Sequence, residues 1–220
     1  MRLRAVILDM DGTITRFNID YLAARRAVLA KLEKMNLKTT DMTERSSIYS
    51  LLTQLKPRLD SRAYEQLRKL SYDRLEEIEV KAAQEVMLYP GVLDTMKALR
   101  SRRLRIGLVT NNGRKGTNLT LERLGLTIFF DAIVTRDDCE EMKPDPDPLR
   151  KVLEELGVRV DEAILVGDGV MDIVAGKAAG LSSVAVCTGP FNNEELLRSG
   201  PDYVLGSVND LPNLIGSFKV

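Results

Sequence analysis

The spacing of apolar positions divides this chain into two kinds of segment. Ala5 to Leu8 are apolar without polar alternation and Gly12 follows shortly, which predicts a strand buried on both faces at the centre of a sheet. Beyond Thr15 the spacing turns helical. Asp20 is placed to cap a helix in which Leu22, Ala23, Ala27, Leu29, Ala30 and Leu32 recur, ending near Asn36. Ser46 or Ser47 begins a second helix containing Ile48, Leu51, Leu52 and Leu55, stopped by Pro57. A third pattern runs over 61–86 through Leu67, Leu70, Leu75, Ile78 and Val80; Ser71 and Tyr72 in its middle leave one helix or two as alternatives.

From Tyr89 onward strands alternate with helices, which predicts right-handed crossovers and a parallel sheet. The pattern gives a helix over 92–103, a strand at 105–109, a helix at 117–124 and a strand at 132–134. A helix at 148–156, a strand at 163–166, one further helix, a strand at 183–186 and a weak strand at 203–205 complete it. The first strand therefore belongs to a sheet made by residues after 89. The expected fold class is α/β, a Rossmann-like doubly wound parallel sheet with an inserted small α-helical cap; the core is expected at 1–16 and 87–220 and the cap at 17–86. A cleft between the two overhangs the end of the first strand, a favoured place for a small ligand.

Composition acts mainly by exclusion. Basic and acidic residues number 32 each and cancel, so no footprint for nucleic acid is visible and attraction for an anionic substrate must be local. The chain runs straight into its first strand without an apolar signal segment, and no run reaches membrane-spanning length; the expectation is a soluble, cytoplasmic protein with no membrane partner. Cys139 and Cys187 lie far apart and read as separate thiols. The absence of histidine excludes an imidazole base, a phosphohistidine and His-bound zinc, leaving carboxylates, lysine, hydroxyls or a metal to do any chemistry.

Four groups fall in loops that follow strands: Asp9 with Asp11, Thr110 to Asn112, Lys143, and Asp168 with Asp172. In a doubly wound sheet those loops share one edge. Asp9 and Asp11 stand one residue apart and repel unless a cation bridges them or one holds a proton. They read as a hard-cation site, as a nucleophile beside a general acid/base, or as acids in a turn. Three carboxylates, a hydroxyl with nearby backbone N–H groups and one ammonium together suit a phosphoryl group, whose transfer depends on positioning and charge neutralisation.

These residues resemble the haloacid dehalogenase (HAD) superfamily of hydrolases, in the subgroup with a C1-type helical cap inserted after the first strand, phosphoglycolate phosphatase-like. The matching stretches are DMDGT at 9–13, Thr110 after the second core strand, Lys143 before Pro144, and GDGVMD at 167–172, in the expected order along nearly the whole chain. The resemblance implies that Asp9 attacks phosphorus to give an aspartyl-phosphate and that Asp11 protonates the leaving oxygen and later deprotonates water. It implies Mg²⁺ held by the Asp9 and Asp168 side chains and the Asp11 backbone carbonyl, phosphate oxygens received by Thr110 and backbone N–H groups around Asn111, and Lys143 neutralising charge. Members that displace halide lack an acid at the position of Asp11, so its presence points to phosphate chemistry.

Other positions keep two readings. Asp172 either supports the metal through water or holds Lys143, or is a first-turn helix acid; Thr13 is a turn residue that orients the active-site loop. Asn111 and Asn112 either cap the next helix or touch substrate. Where many cap-bearing relatives carry an acidic residue and a serine, this chain reads Ile14-Thr15-Arg16-Phe17. Arg16 either pairs with a second anionic group of the substrate or is a solvated linker arginine; Phe17 and Tyr21 read as cap or hinge packing. The expected activity is Mg²⁺-dependent hydrolysis of a small phosphorylated metabolite, a phosphomonoester such as phosphoglycolate, by a monomer or homodimer. A phosphosugar mutase using the same acids is the alternative, followed by a non-enzymatic phosphoacceptor or binding domain.

Overall fold

A computed structural model describes residues 2–16, 19–34, 48–189 and 193–218. Strand β1 (Ala5–Leu8) leads into helices α1 (Tyr21–Lys34), α2 (Ile48–Leu55) and α3 (Ser61–Ala83). The alternating part follows as α4 (Val92–Ser101), β2 (Arg105–Val109), α5 (Arg114–Arg123), β3 (Ala132–Val134), α6 (Asp147–Leu156), β4 (Ala163–Gly167), α7 (Val170–Ala179) and β5 (Ser182–Val186). Helix α8 (Asn193–Arg198), strand β6 (Tyr203–Leu205) and helix α9 (Leu211–Ile215) close the described chain. The sheet has six strands in the order β3-β2-β1-β4-β5-β6, with every neighbouring pair parallel.

β1 sits between β2 and β4, buried along its length. Because side chains alternate across a strand, Val6 and Leu8 join one apolar layer with Met96 and Leu99 of α4 and Ile215 of α9. Ala5 and Ile7 join the other, with Leu149, Val152 and Leu156 of α6. This two-sided burial is why the strand reads as an unbroken apolar run. Gly107 in β2 lets α6 come close, since a Cβ there would lie 2.8 Å from a Val152 methyl.

The three helices after β1 bury a separate core: Ala24, Val28 and Leu32 of α1, Ile48, Leu51, Leu52 and Leu55 of α2, and Leu67 and Leu75 of α3. Two backbone segments join it to the sheet, side by side. Arg16 N–H donates to Met87 O at 2.8 Å and Tyr89 N–H to Ile14 O at 3.2 Å. Asp20 caps α1 by accepting from Ala23 N–H at 3.1 Å. Helix α3 is one helix, not two: Ser71 turns its hydroxyl back onto Leu67 O at 2.8 Å, a local bond that the helix tolerates. The expected helix end near Asn36, the start at Ser46 or Ser47, and Phe17 lie outside the described residues. Helix α4 stops at Ser101, short of the expected 103, while α5 starts at Arg114, earlier than the expected 117. Among the described residues no helix is long and apolar enough to cross a membrane.

Candidate active site

β1 ends at Leu8, and the next residues form a tight turn in which Ile14 and Thr15 N–H donate to Met10 O at 2.9 and 3.0 Å. Gly12 takes φ of +90°, a left-handed conformation open to glycine at little cost. Space also demands glycine here: a Cβ would lie 2.2 Å from Asp168 Oδ2. Gly189 closes on the same carboxyl from the loop after β5, where a Cβ would lie 1.8 Å from that oxygen. Two glycines thus bring backbone from two loops against one buried acid. Thr188 belongs to the same support, its hydroxyl donating to Gly12 O at 2.5 Å.

Around the end of β1 the expected residues converge. Lys143 Nζ donates to Asp9 Oδ1 at 2.7 Å, Asp172 Oδ1 at 2.6 Å and Val109 O at 2.9 Å, so all three of its protons are used. Asp172 also accepts from Gly169 N–H through Oδ2 at 3.0 Å. Both of its oxygens are therefore occupied, one holding Lys143 and one the first turn of α7. Thr13 does more than turn the chain: its hydroxyl lies 3.0 Å from Asp168 Oδ1 and 3.4 Å from Asp9 Oδ2. Thr110 is buried, its Oγ1 accepting from Asn112 N–H at 3.2 Å. Asn111 Nδ2 donates to Lys143 O at 2.8 Å, and its buried Oδ1 has no partner among the described residues. Arg16 is different: its side chain is exposed at the hinge.

Asp11 is held from both sides. Thr15 Oγ1 donates to its Oδ1 at 3.0 Å and Asn112 Nδ2 to its Oδ2 at 2.5 Å, while Tyr21 O–H donates to Asn112 Oδ1 at 2.8 Å. Asn112 therefore does not cap α5, whose N-cap is Gly113 with no side-chain bond. Burial, then Asp11 and Glu79, push Tyr21 ionisation well above the ordinary tyrosine range, so it remains a donor near neutral pH.

Electrostatics sort these groups by task. Burial and then the neighbouring Asp9 raise Asp11 to about 7, so it can carry a proton near neutrality. Burial raises Asp9 and Lys143 opposes that rise. Burial, then Asp9 and Asp172, raise Asp168 far above the usual carboxylate range. Burial works against the charge on Lys143, but Asp172 and Asp9 outweigh it and keep the ammonium protonated. Asp9, Asp168 and Asp172 can bring one oxygen each to within 4.8 Å of one another, all buried. Such an all-oxygen donor set, with more acid than its single ammonium neutralises, fits a hard divalent cation. With Asp172 engaged on both oxygens, Asp9 and Asp168 are the side chains with capacity for it.

A second charged cluster lies beside the first and was not anticipated. Arg136, in the turn after β3, forms a two-pronged pair with Glu79 of α3 at 2.6 and 3.0 Å, both side chains only 1% exposed. Glu79 Oε2 also accepts from Gly113 N–H at 2.9 Å. The same arginine donates to Asn111 O at 3.2 Å and stands 5.0 Å over the Tyr72 ring, while Tyr49 O–H donates to Asn111 O. A Cβ on Gly116 of α5 would lie 2.9 Å from Glu79 Cβ, so glycine permits the close approach of α3 to α5. The sequence held one signal for this. Glu79 continues the buried series Leu67, Ser71, Leu75 and Ala83 at four-residue spacing, a charge set in an apolar stripe.

Residues 6–186 match the model of a family described as haloacid dehalogenase-like hydrolase. Pyrophosphatase PpaX of Halalkalibacterium halodurans is 31% identical over 220 residues, covering 98% of each chain. Its namesake in Bacillus pumilus is 29% identical over 217 residues, covering 98% of this chain and 97% of the relative. A crystal structure of a hydrolase from Pseudomonas syringae superposes with a TM-score of 0.72 at 24% identity over 98% of this chain and 99% of that one, a likeness of fold.

Proposed function

The chain belongs to the haloacid dehalogenase-like hydrolases, and we propose that it is a Mg²⁺-dependent phosphatase acting on a small phosphorylated metabolite through an aspartyl-phosphate on Asp9. The observation that carries this reading is the environment of Asp9 and Asp11. One carboxylate is bound by an ammonium at 2.7 Å, which opposes the rise that burial gives it, while the other, two residues on, is met by the Thr15 hydroxyl and the Asn112 amide and is raised to about 7. An ammonium on the first acid and neutral groups on the second favour a charged nucleophile beside a protonated acid.

In this reading Asp9 attacks phosphorus while the bond to the leaving oxygen breaks, and Asp11 supplies that oxygen with a proton. Asp11 then takes a proton from the water that releases phosphate from Asp9. Lys143 holds Asp9 and draws charge from the phosphoryl oxygens, which Thr110 Oγ1 and the N–H groups around Asn111 receive. Asp9, Asp168 and the Asp11 backbone carbonyl would hold Mg²⁺, which when bound offsets repulsion between the carboxylate and the anionic substrate. Asp172 and Thr13 keep Lys143 and Asp168 in place. The active site is made by a core of 1–16 and 87–220, and the cap at 17–86 selects the substrate.

Relatives named pyrophosphatase add the phosphoanhydride to the esters worth testing. The test is phosphate release with Mg²⁺ across phosphoglycolate, pyrophosphate, sugar phosphates, nucleotides and an aryl phosphate. Release from one preferred compound is expected, with Asp9→Asn slower by about a thousandfold or more. Undiminished release by folded Asp9→Asn would overturn the reading, and transfer within a phosphosugar without net release would replace it by the mutase.

A further inference from the structure

The route from the cap to Asp11 passes through two side chains with no role so far. Tyr21 is the first residue of α1, and its hydroxyl donates to Asn112 Oδ1 at 2.8 Å. With that acceptor occupied, the Asn112 amide has its Nδ2 left for Asp11, and it donates to Oδ2 at 2.5 Å. Asn112 is itself buried in the loop after β2, where its backbone carbonyl accepts from Arg136 N–H at 2.9 Å. On the other side Thr15 Oγ1 donates to Oδ1 at 3.0 Å.

From this chain of bonds we infer that Tyr21 and Asn112 are positioning residues for Asp11, so that the seating of the cap sets the direction in which Asp11 delivers its proton. The inference rests on the reading of Asp11 as proton donor. A carboxyl group has two lone pairs on each oxygen. The Asn112 amide occupies one lone pair on Oδ2 and keeps the acid proton off it, while the single proton of the Thr15 hydroxyl is shared between Asp11 Oδ1 at 3.0 Å and Met10 O at 3.1 Å. An amide is nearly symmetric in shape, so only its bonds decide which end faces Asp11. Without the Tyr21 hydroxyl the amide can turn over, bring its oxygen to Asp11, and accept the proton intended for the leaving group. The fault is then one of direction, with the acid still present.

The experiment compares single-turnover release of the leaving group from an alkyl phosphate, which needs protonation, with release from a nitrophenyl phosphate, which needs it far less. Both are measured with Mg²⁺ on the full chain. General acid catalysis contributes about 10²–10⁴-fold, so Asp11→Asn should lower the alkyl-to-aryl rate ratio by roughly a hundredfold. Tyr21→Phe keeps the ring and its packing and should lower that ratio about tenfold, with Asn112→Ala lowering it further, toward the value for Asp11→Asn. Loss of folded protein would slow both substrates and leave the ratio alone. If Asp11→Asn lowers the ratio while Tyr21→Phe and Asn112→Ala leave it unchanged, the positioning roles are overturned and the proton donor stands. If Asp11→Asn leaves it unchanged, the proton-donor reading itself falls, and this inference with it.

Discussion

Two buried charge clusters lie side by side between the sheet and the inserted helices, and their balance is opposite. Around Lys143 one ammonium is shared by Asp9 and Asp172, with Asp168 and Asp11 crowding the same space. Arg136 faces Glu79, and the pair is completed by Gly113 N–H and Asn111 O. In the first cluster burial, and after it the repulsion between neighbouring acids, raises the affinity of Asp9 and Asp168 for protons, with Lys143 opposing the rise at Asp9. In the second the charges cancel within one two-pronged contact. Excess charge leaves capacity for a cation and a mobile proton, which is what a reaction needs; balanced charge leaves none, and ties α3 to the loop after β2. Burial alone therefore marks neither cluster as functional. The net charge does.

The strongest way to break this comparison is Asp168→Asn. Activity with Mg²⁺ should fall by about a thousandfold or more, since a cation ligand is lost. Stability of the metal-free protein should move the other way. Burial, then Asp9 and Asp172, raise the folded-state Asp168 above its unfolded value. Its contribution is thus fully present below the unfolded pKa and is lost as pH rises through the raised folded one. Thermal melts without metal should find wild type losing ground to Asp168→Asn between about pH 4 and pH 9. At pH 8 the variant should melt a few degrees higher, at roughly 2–4 °C per kcal/mol for a chain this size. A wild type more stable than the variant at pH 8 would mean the acids are already compensated.

The balanced cluster should answer with the opposite sign. Arg136→Met leaves Glu79 buried with, among the described residues, only Gly113 N–H to meet it. Breaking one side of such a pair costs about 3–5 kcal/mol. Replacing both partners, as in Glu79→Leu with Arg136→Met, should recover most of that loss, because an apolar contact needs no desolvated charge. Urea midpoints for the two single variants and the double variant measure this as a cycle. If the double variant is as unstable as the sum of the singles, the pair is not acting as a unit.

The same contrast explains what could be read from sequence. The sheet is legible because each central strand is a short apolar run closed by a turn; the run from Ala5 to Leu8 coincides with β1. The first turn of α5 is silent in the apolar pattern because Arg114-Lys115-Gly116 carries no apolar spacing, and Gly116 is there for the approach of Glu79. Asp9, Lys143 and Asp168 were legible because each follows a strand of one parallel sheet, whose topology delivers them to one edge. Glu79 and Arg136 were not, since 57 positions separate them and they meet only when the helical insertion docks. Tyr21 and Asn112 are joined across 91 positions by the same docking. Gly189 carries no chemistry of its own, and its place against Asp168 appears only when two loops close on one carboxyl.

Arg16 supplies the smallest expected effect and a boundary to the comparison. Among the described residues it is neither crowded like Lys143 nor paired like Arg136: its backbone N–H is fixed on Met87 O at 2.8 Å, and its side chain is exposed at the hinge. An ion pair made there by a substrate's second anionic group would be shared with water and be worth about 0–1 kcal/mol. Arg16→Ala should accordingly raise KM for doubly anionic substrates by no more than about fivefold, leaving kcat in place. Phosphoglycolate against a neutral alkyl phosphate, each at low and at high salt, is the measurement. A selective rise in KM that fades with salt assigns Arg16 to the substrate. An equal effect on both esters returns it to the hinge, and a loss beyond about a hundredfold on the dianion would show that the exposed side chain swings into the dry site and joins the Lys143 cluster as a second cation.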